Sequence, residues 1–184
     1  MIFNMKRIIF SSLIVLITLN QCGLKHKDKE SKIKMNFTIL NKIENKRENN
    51  SEYVYYAAEI NLINNTDSIF EYWTNTCSWP ENFVFSFDST YVPYDTLDIY
   101  LGYSCPSNYP IIHQIKPKDK ITIKTVIRYI NSNNYLQDKK IKLGFIVIEK
   151  KELSELGDNY FGLFFKKSKN RKDIIWSEPF KIVQ

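Results

Sequence analysis

Val54-Tyr55-Tyr56-Ala57-Ala58-Glu59-Ile60-Asn61-Leu62, running into the polar turn Asn64-Asn65-Thr66-Asp67-Ser68, decides the fold class. Val54, Tyr56, Ala58, Ile60 and Leu62 share one face at a period of two, while Glu59 and Asn61 point the other way, which is the pattern of a half-buried β-strand. Phe83, Phe85 and Phe87 repeat it before Asp88-Ser89-Thr90. Ile121, Ile123, Thr125, Ile127 and Tyr129 do so again, between the turn Pro117-Lys118-Asp119 and the run Asn131-Ser132-Asn133-Asn134. Lys34 to Leu40, Ile69 to Thr74, Ile111 to Lys116, Ile141 to Glu149, Tyr160 to Phe165 and Ile174 to Val183 are further candidate strands. Residues 41 to 52 read as a long hairpin loop. Helix signals are confined to one or two turns at Lys150 to Leu156, too short to cover a sheet. The expectation is an all-β chain, an antiparallel β-sandwich of seven to nine strands. Five glycines supply little of the repeated kinking that small closed barrels use, and no internal repeat supports a propeller or solenoid.

The N-terminus carries an address. Lys6 and Arg7 precede the apolar run Ile8 to Leu19, which is too short to span a bilayer and fits a secretory signal. Cys22 follows directly, ahead of the charged stretch Gly23 to Lys34, and resembles the lipid-accepting cysteine of bacterial lipoproteins. Leu19 and Cys22 fit that family's lipobox, whereas Gln21 stands where a small residue is usual. The expected organisation is a signal peptide at 1–21, a flexible tether at 22–34 and a β-sandwich domain at 35–184. A tether of a dozen residues reaches roughly 20 Å.

After removal of the signal the chain is of one-domain length. The formal charge of +6 is diluted over many basic and acidic side chains rather than gathered in a block, so nucleic acid is not implied. With Cys22 acylated, Cys77 and Cys105 remain as an even pair in an oxidising compartment, and a disulfide between them is expected, two buried thiols being the alternative. The spacing of the cysteines and of His26 and His113 suits no zinc site. No metal or cofactor is expected.

Residues 70 to 109 are densely aromatic and hold both cysteines together with Pro80, Pro93, Pro106 and Pro110. Rigid rings on a proline-braced loop suit recognition of a protein or a glycan, and Trp79, Tyr91, Tyr94 and Tyr103 are the candidate binding-loop residues. The alternative is that such rings complete the core; Trp73, inside a candidate strand, is expected to be core and Trp79 the more exposed. Asp95 and Asp98 form an acidic pair that reads as solvated loop acids rather than a glycosidase or calcium site. No nucleophile elbow, zinc-protease helix or phosphate-binding glycine loop occurs, so no catalytic residue is assigned and an enzyme is not expected.

The stretch Glu59 to Asp67, then Ile115-Lys116-Pro117-Lys118-Asp119-Lys120-Ile121, then Trp176-Ser177-Glu178-Pro179-Phe180 resembles bacterial immunoglobulin-like domains of small secreted lipoproteins common in Bacteroidota. In that group an early strand ends in an Asn-x-Thr turn and a Pro-Gly-Asp turn precedes a long strand; here Lys118 replaces the glycine. The resemblance implies an immunoglobulin-like sandwich, held at the cell envelope through a lipid anchor and acting as a non-catalytic binding module. A protease-inhibitor-like domain is the alternative, and a carbohydrate-binding module a third reading.

Overall fold

The computed structural model describes residues 32–43, 52–101, 107–130, 136, 138–152 and 160–182. The expected signal peptide, Cys22, most of the tether, Tyr103 and Cys105 lie outside the described residues. In chain order the strands are β1 (Ile33–Ile43), β2 (Tyr53–Asn64), β3 (Phe70–Asn75), β4 (Phe83–Phe87) and β5 (Thr90–Tyr91). They continue with β6 (Leu97–Tyr100), β7 (Pro110–Ile115), β8 (Lys120–Ile130), β9 (Lys142–Ile146) and β10 (Ile174–Trp176). One sheet has the order β1-β2-β8-β6, a second β10-β9-β4-β5, and β3 pairs with β7 in a separate ladder. All pairings are antiparallel. The fold is therefore an all-β, sandwich-like arrangement.

The core face of the deciding strand is as expected, with Val54, Tyr56, Ala58, Ile60 and Leu62 buried, but Tyr55 on the other face is buried too, so the alternation of exposure sets in only after Tyr56. Their register places Ile60 opposite Ile123 and Tyr56 opposite Ile127 on β8. From the second sheet come Phe83, Phe85, Leu143 and Phe145, also buried, with Phe83 opposite Phe145. The two sheets meet through rings, Phe37 of β1 lying 4.6 Å from Phe180 and 6.3 Å from Phe85. Non-directional burial of this kind supplies most of the driving force for the fold.

Turn chemistry sets the registers. Asp88 and Ser89 have φ of 42° and 65°, the left-handed pair of a type I′ turn, and they join β4 to β5 with Phe87 opposite Thr90. Lys118 also has positive φ, 58°, following Pro117 as the third residue of a tight turn closed by Asp119 N–H donating to the Lys116 carbonyl (3.2 Å). The lysine occupies a backbone position that favours glycine, and its Nζ is fixed by the Asn65 carbonyl (2.7 Å) and Asp67 (3.1 Å).

Several expectations are corrected. The tether ends earlier, because Ile33 is already paired with Asn64 and buried. The loop at 41 to 52 is shortened at its start, since β1 runs to Ile43, whereas β2 begins at Tyr53, directly after its expected end. There are ten strands among the described residues, the additional ones being short, and β6 falls in a stretch that lacks alternation because Leu97, Asp98 and Ile99 are all buried. The largest correction concerns Tyr160 to Phe165, which lies in an α-helix, Tyr160–Lys169. Lys166, Lys167 and Lys169 fill its last turn, where cations favour the helix dipole. Buried Leu163 docks with Ile148 and Trp73. The expected helical turn is present at 150–152, with Glu149 N–H donating to the Glu152 carboxylate (2.9 Å), which is one half of a capping box. Among the described residues no helix is long and apolar enough to cross a membrane.

Candidate functional site

The polar face of the first sheet is built by the residues that alternate with its core. Asp98 on β6 stands opposite Arg128 on β8, and the guanidinium grips the carboxylate with two hydrogen bonds, Nε to Oδ1 at 3.1 Å and Nη2 to Oδ2 at 2.6 Å. The Arg128 guanidinium also lies 4.9 Å from the centre of the Tyr53 ring and 5.3 Å from that of Tyr100, and Tyr55 packs edge-on against Tyr100 at 5.2 Å. Cation–π contact and a bidentate fork together fix the arginine in one geometry. Asp98 is thus not a solvated loop acid: its residue is 5% exposed, on a strand, with a committed partner. Burial pushes its carboxyl above the ordinary carboxylate value, against the pull of Arg128. On Arg128 burial acts downward, but the Asp98 hydrogen bond and charge, with Tyr53 and Tyr55, carry the guanidinium above its usual value.

An open groove of about 570 Å³ adjoins this pair, bordered by Tyr94, Tyr100, Glu81, Pro80 and Ser78 as well as Asp98 and Arg128. Tyr94 is 60% exposed. Burial raises its phenol pKa, and the charges of Asp98 and Glu81 add to this, opposed by Arg128. The opposite wall is the 3₁₀ turn Trp79–Asn82, anchored by fully buried Asn82, whose side-chain amide donates to the carbonyls of Trp73 (3.1 Å) and Ile146 (3.1 Å). Burial pushes the Glu81 carboxyl up, a hydrogen bond with Ser78 opposing it, and Glu81 Oε2 is buried with no hydrogen-bond partner among the described residues.

Of the three candidate loop residues that are described, Trp79, Tyr91 and Tyr94, only Tyr94 borders this groove. Tyr91 is tied down: its hydroxyl donates to the Ser168 carbonyl, its ring stacks with Trp176 at 6.4 Å, and the Arg171 guanidinium lies 5.2 Å from its centre. Arg171 in turn lies 4.4 Å from the Trp176 ring and donates to the Ser89 carbonyl (3.1 Å) and to Ser86 Oγ (3.0 Å). That cluster clamps the C-terminal segment onto the second sheet. Trp79 is half-buried against the core and meets Phe83 edge-on at 5.8 Å. Trp73 is partly buried too, on the smaller cluster around Ile148, so the two tryptophans do not divide simply into core and loop. Arg128, which completes the groove, was legible only as an outward position of a strand.

Cys77 follows the β3–β7 ladder outward. Thr76 N–H donates to the Tyr109 carbonyl (3.0 Å) and Cys77 N–H to Asn108 Oδ1 (3.0 Å), and the Cys77 sulfur lies 2.7 Å from the Ser107 carbonyl oxygen. Among the described residues no cluster of three or more His, Cys, Asp or Glu side chains could hold a metal ion. Comparison with family models, with curated proteins and with solved structures found no match for this chain.

Proposed function

We propose that the protein is a lipid-anchored module of the cell envelope that binds a partner, without catalysing a reaction, through the groove between Tyr94 and the Asp98–Arg128 pair. The observation that carries this reading is the exposed Tyr94 ring beside a rigid, charge-balanced donor and acceptor set. Such a site offers apolar area and directed hydrogen bonds at little ordering cost. Its acids are poorly placed for general acid–base work, because Asp98 is committed to Arg128 and the Glu81 oxygen is enclosed. Lipidation of Cys22, export and an immunoglobulin-like relation of the two sheets are parts of the same proposal, motivated by Lys6, Arg7, the apolar run and the strand pattern. A disulfide between Cys77 and Cys105 would brace the groove wall. The approach of Cys77 to Ser107, two positions from Cys105, supports it.

A glycan is favoured over a protease as the partner, since a tyrosine face next to fixed polar groups suits a pyranose ring and its hydroxyls. The decisive experiment compares the native protein with Tyr94→Ala on an array of envelope and host glycans. Saturable binding that Tyr94→Ala removes, with the melting temperature within about 2 °C of the parent, supports the reading. Unchanged binding in the variant, or stoichiometric inhibition of a protease by both proteins, overturns it. Cys22→Ser is expected to move the protein from the membrane fraction to the soluble fraction, and an acylated N-terminus at residue 22 should be visible by mass spectrometry.

A further inference from the structure

Beneath the β3–β7 ladder lies a second, separate cavity of about 260 Å³. The ladder places Tyr72 opposite His113 and Thr74 opposite Ile111, so these four side chains share the face that looks into it. The far walls are Trp79, Phe83 and Phe145 with Ile121 and Ile123 of β8. Its rings meet at right angles: Tyr72 and Phe145 are 5.1 Å apart at 86°, and Trp79 and Phe83 are 5.8 Å apart at 89°. A planar occupant would meet both ring faces and ring edges, the two arrangements that aromatic pairs prefer.

Asn75, Thr76 and Thr122 also line it, and two of its polar side chains meet directly. Thr74 is 5% exposed, and its Oγ1 lies 2.9 Å from His113 Nε2. The His113 ring stacks on Tyr72 at 4.9 Å and 16°, which fixes its plane. Burial lowers the His113 pKa, favouring the neutral imidazole. Protein interiors are packed with few voids larger than a water molecule, and apolar cavities of about 150 Å³ take up benzene. A mostly apolar cleft with a few placed polar groups is the ordinary form of a small-ligand site.

We propose that this half-open cavity binds a small monocyclic aromatic molecule carrying one hydrogen-bonding group, with the His113–Thr74 pair receiving that group and the rings and isoleucines flanking the rest. The site is independent of the Tyr94 groove. Calorimetric titration of the full chain with p-cresol, and with toluene as its apolar counterpart, tests it. Saturable one-to-one binding of both is expected, p-cresol the tighter by about tenfold, as one satisfied hydrogen bond allows. His113→Phe should abolish that preference while toluene still binds. Ile111→Trp, which fills the chamber, should abolish both, and Ile123→Phe serves the same purpose if the first variant fails to melt cooperatively. Tyr94→Ala should change neither. The proposal is overturned by an absence of saturable binding to the cooperatively folded parent, by binding that survives the filling variants, or by a preference that persists in His113→Phe.

Discussion

Asn64 shows how much of this fold can rest on one side chain. It closes the deciding strand, is fully buried, and uses every polar atom. The two N–H groups of its Nδ2 are shared among the carbonyls of Ser68 (2.8 Å), Ile115 (3.0 Å) and Lys116 (3.1 Å), one of them bifurcated, and its Oδ1 accepts from Thr66 N–H (3.0 Å) and Thr66 Oγ1 (2.7 Å). The Asn-x-Thr turn is thus a staple between the end of β2 and the β7–β8 turn. Asn64→Ala leaves buried carbonyls unpaired and is expected to cost about 2–4 kcal/mol in urea denaturation. A loss under about 0.5 kcal/mol would show that water replaces the amide without penalty. Gly144 has a different role: a Cβ there would lie 2.6 Å from Ile174 Cγ2 and 2.7 Å from Trp176 Cζ3. The glycine lets the Trp176 ring lie flat on β9, within reach of Arg171.

Among the elements, the helix Tyr160–Lys169 departs furthest from its sequence pattern, and its hold on the sandwich is electrostatic as well as apolar. Lys167 Nζ reaches Glu152 at 2.6 Å and donates to the Val147 carbonyl at 2.6 Å, with both side chains of the ion pair largely buried. Burial pushes the Glu152 carboxyl up, but the Lys167 hydrogen bond, the Glu149 N–H and the lysine charges outweigh it, so the pKa lies below its ordinary value of 4.5. A group depressed on folding stabilises the protein above its unfolded pKa, and that contribution is lost as pH falls through the folded one. Glu152→Gln should therefore cost about 1–2 kcal/mol at pH 7. It should also flatten the part of the stability loss that sets in below about pH 4.5. Urea melts of parent and variant at pH 7 and at pH 3.5 check both; an unaltered acid limb would show that the clasp is not coupled to folding.

At the scale of the whole molecule, the β3–β7 ladder stands outside both sheets yet joins them, covering the small cavity on one side and leading to the groove wall through Cys77. A bridge from Cys77 to Cys105 would close about 29 residues of chain around this region. The loop-closure model gives such a link about 3.5 kcal/mol of stabilisation. Reduction should therefore move the urea midpoint of the parent and leave that of a Cys77→Ser, Cys105→Ser double variant untouched. Equal midpoints for the parent with and without reductant would remove the bridge from the account.

The strands that the sequence determined by itself are those whose apolar residues recur at every second position: β2, β4 and β8 declare themselves by that period, even though Tyr55 and Ser86, between the core positions, are buried as well. Turns were legible for a related reason, since Pro117, Asp88 and Asn64 carry their backbone preferences with them. β6 was not, because Tyr94, the 3₁₀ turn and Arg128 bury its polar residue as well as its apolar ones, and the helix was not, because Leu163 and Lys167 are satisfied only by Ile148, Trp73 and Glu152, which are distant in sequence or set by another element. The aromatic segment likewise announced a concentration of rings without saying which would be spent on packing. Only tertiary structure decided that Tyr91 clamps the C-terminal segment, that Trp79 walls a cavity and that Tyr94 is left facing solvent, because burial is a property of what arrives from elsewhere in the chain.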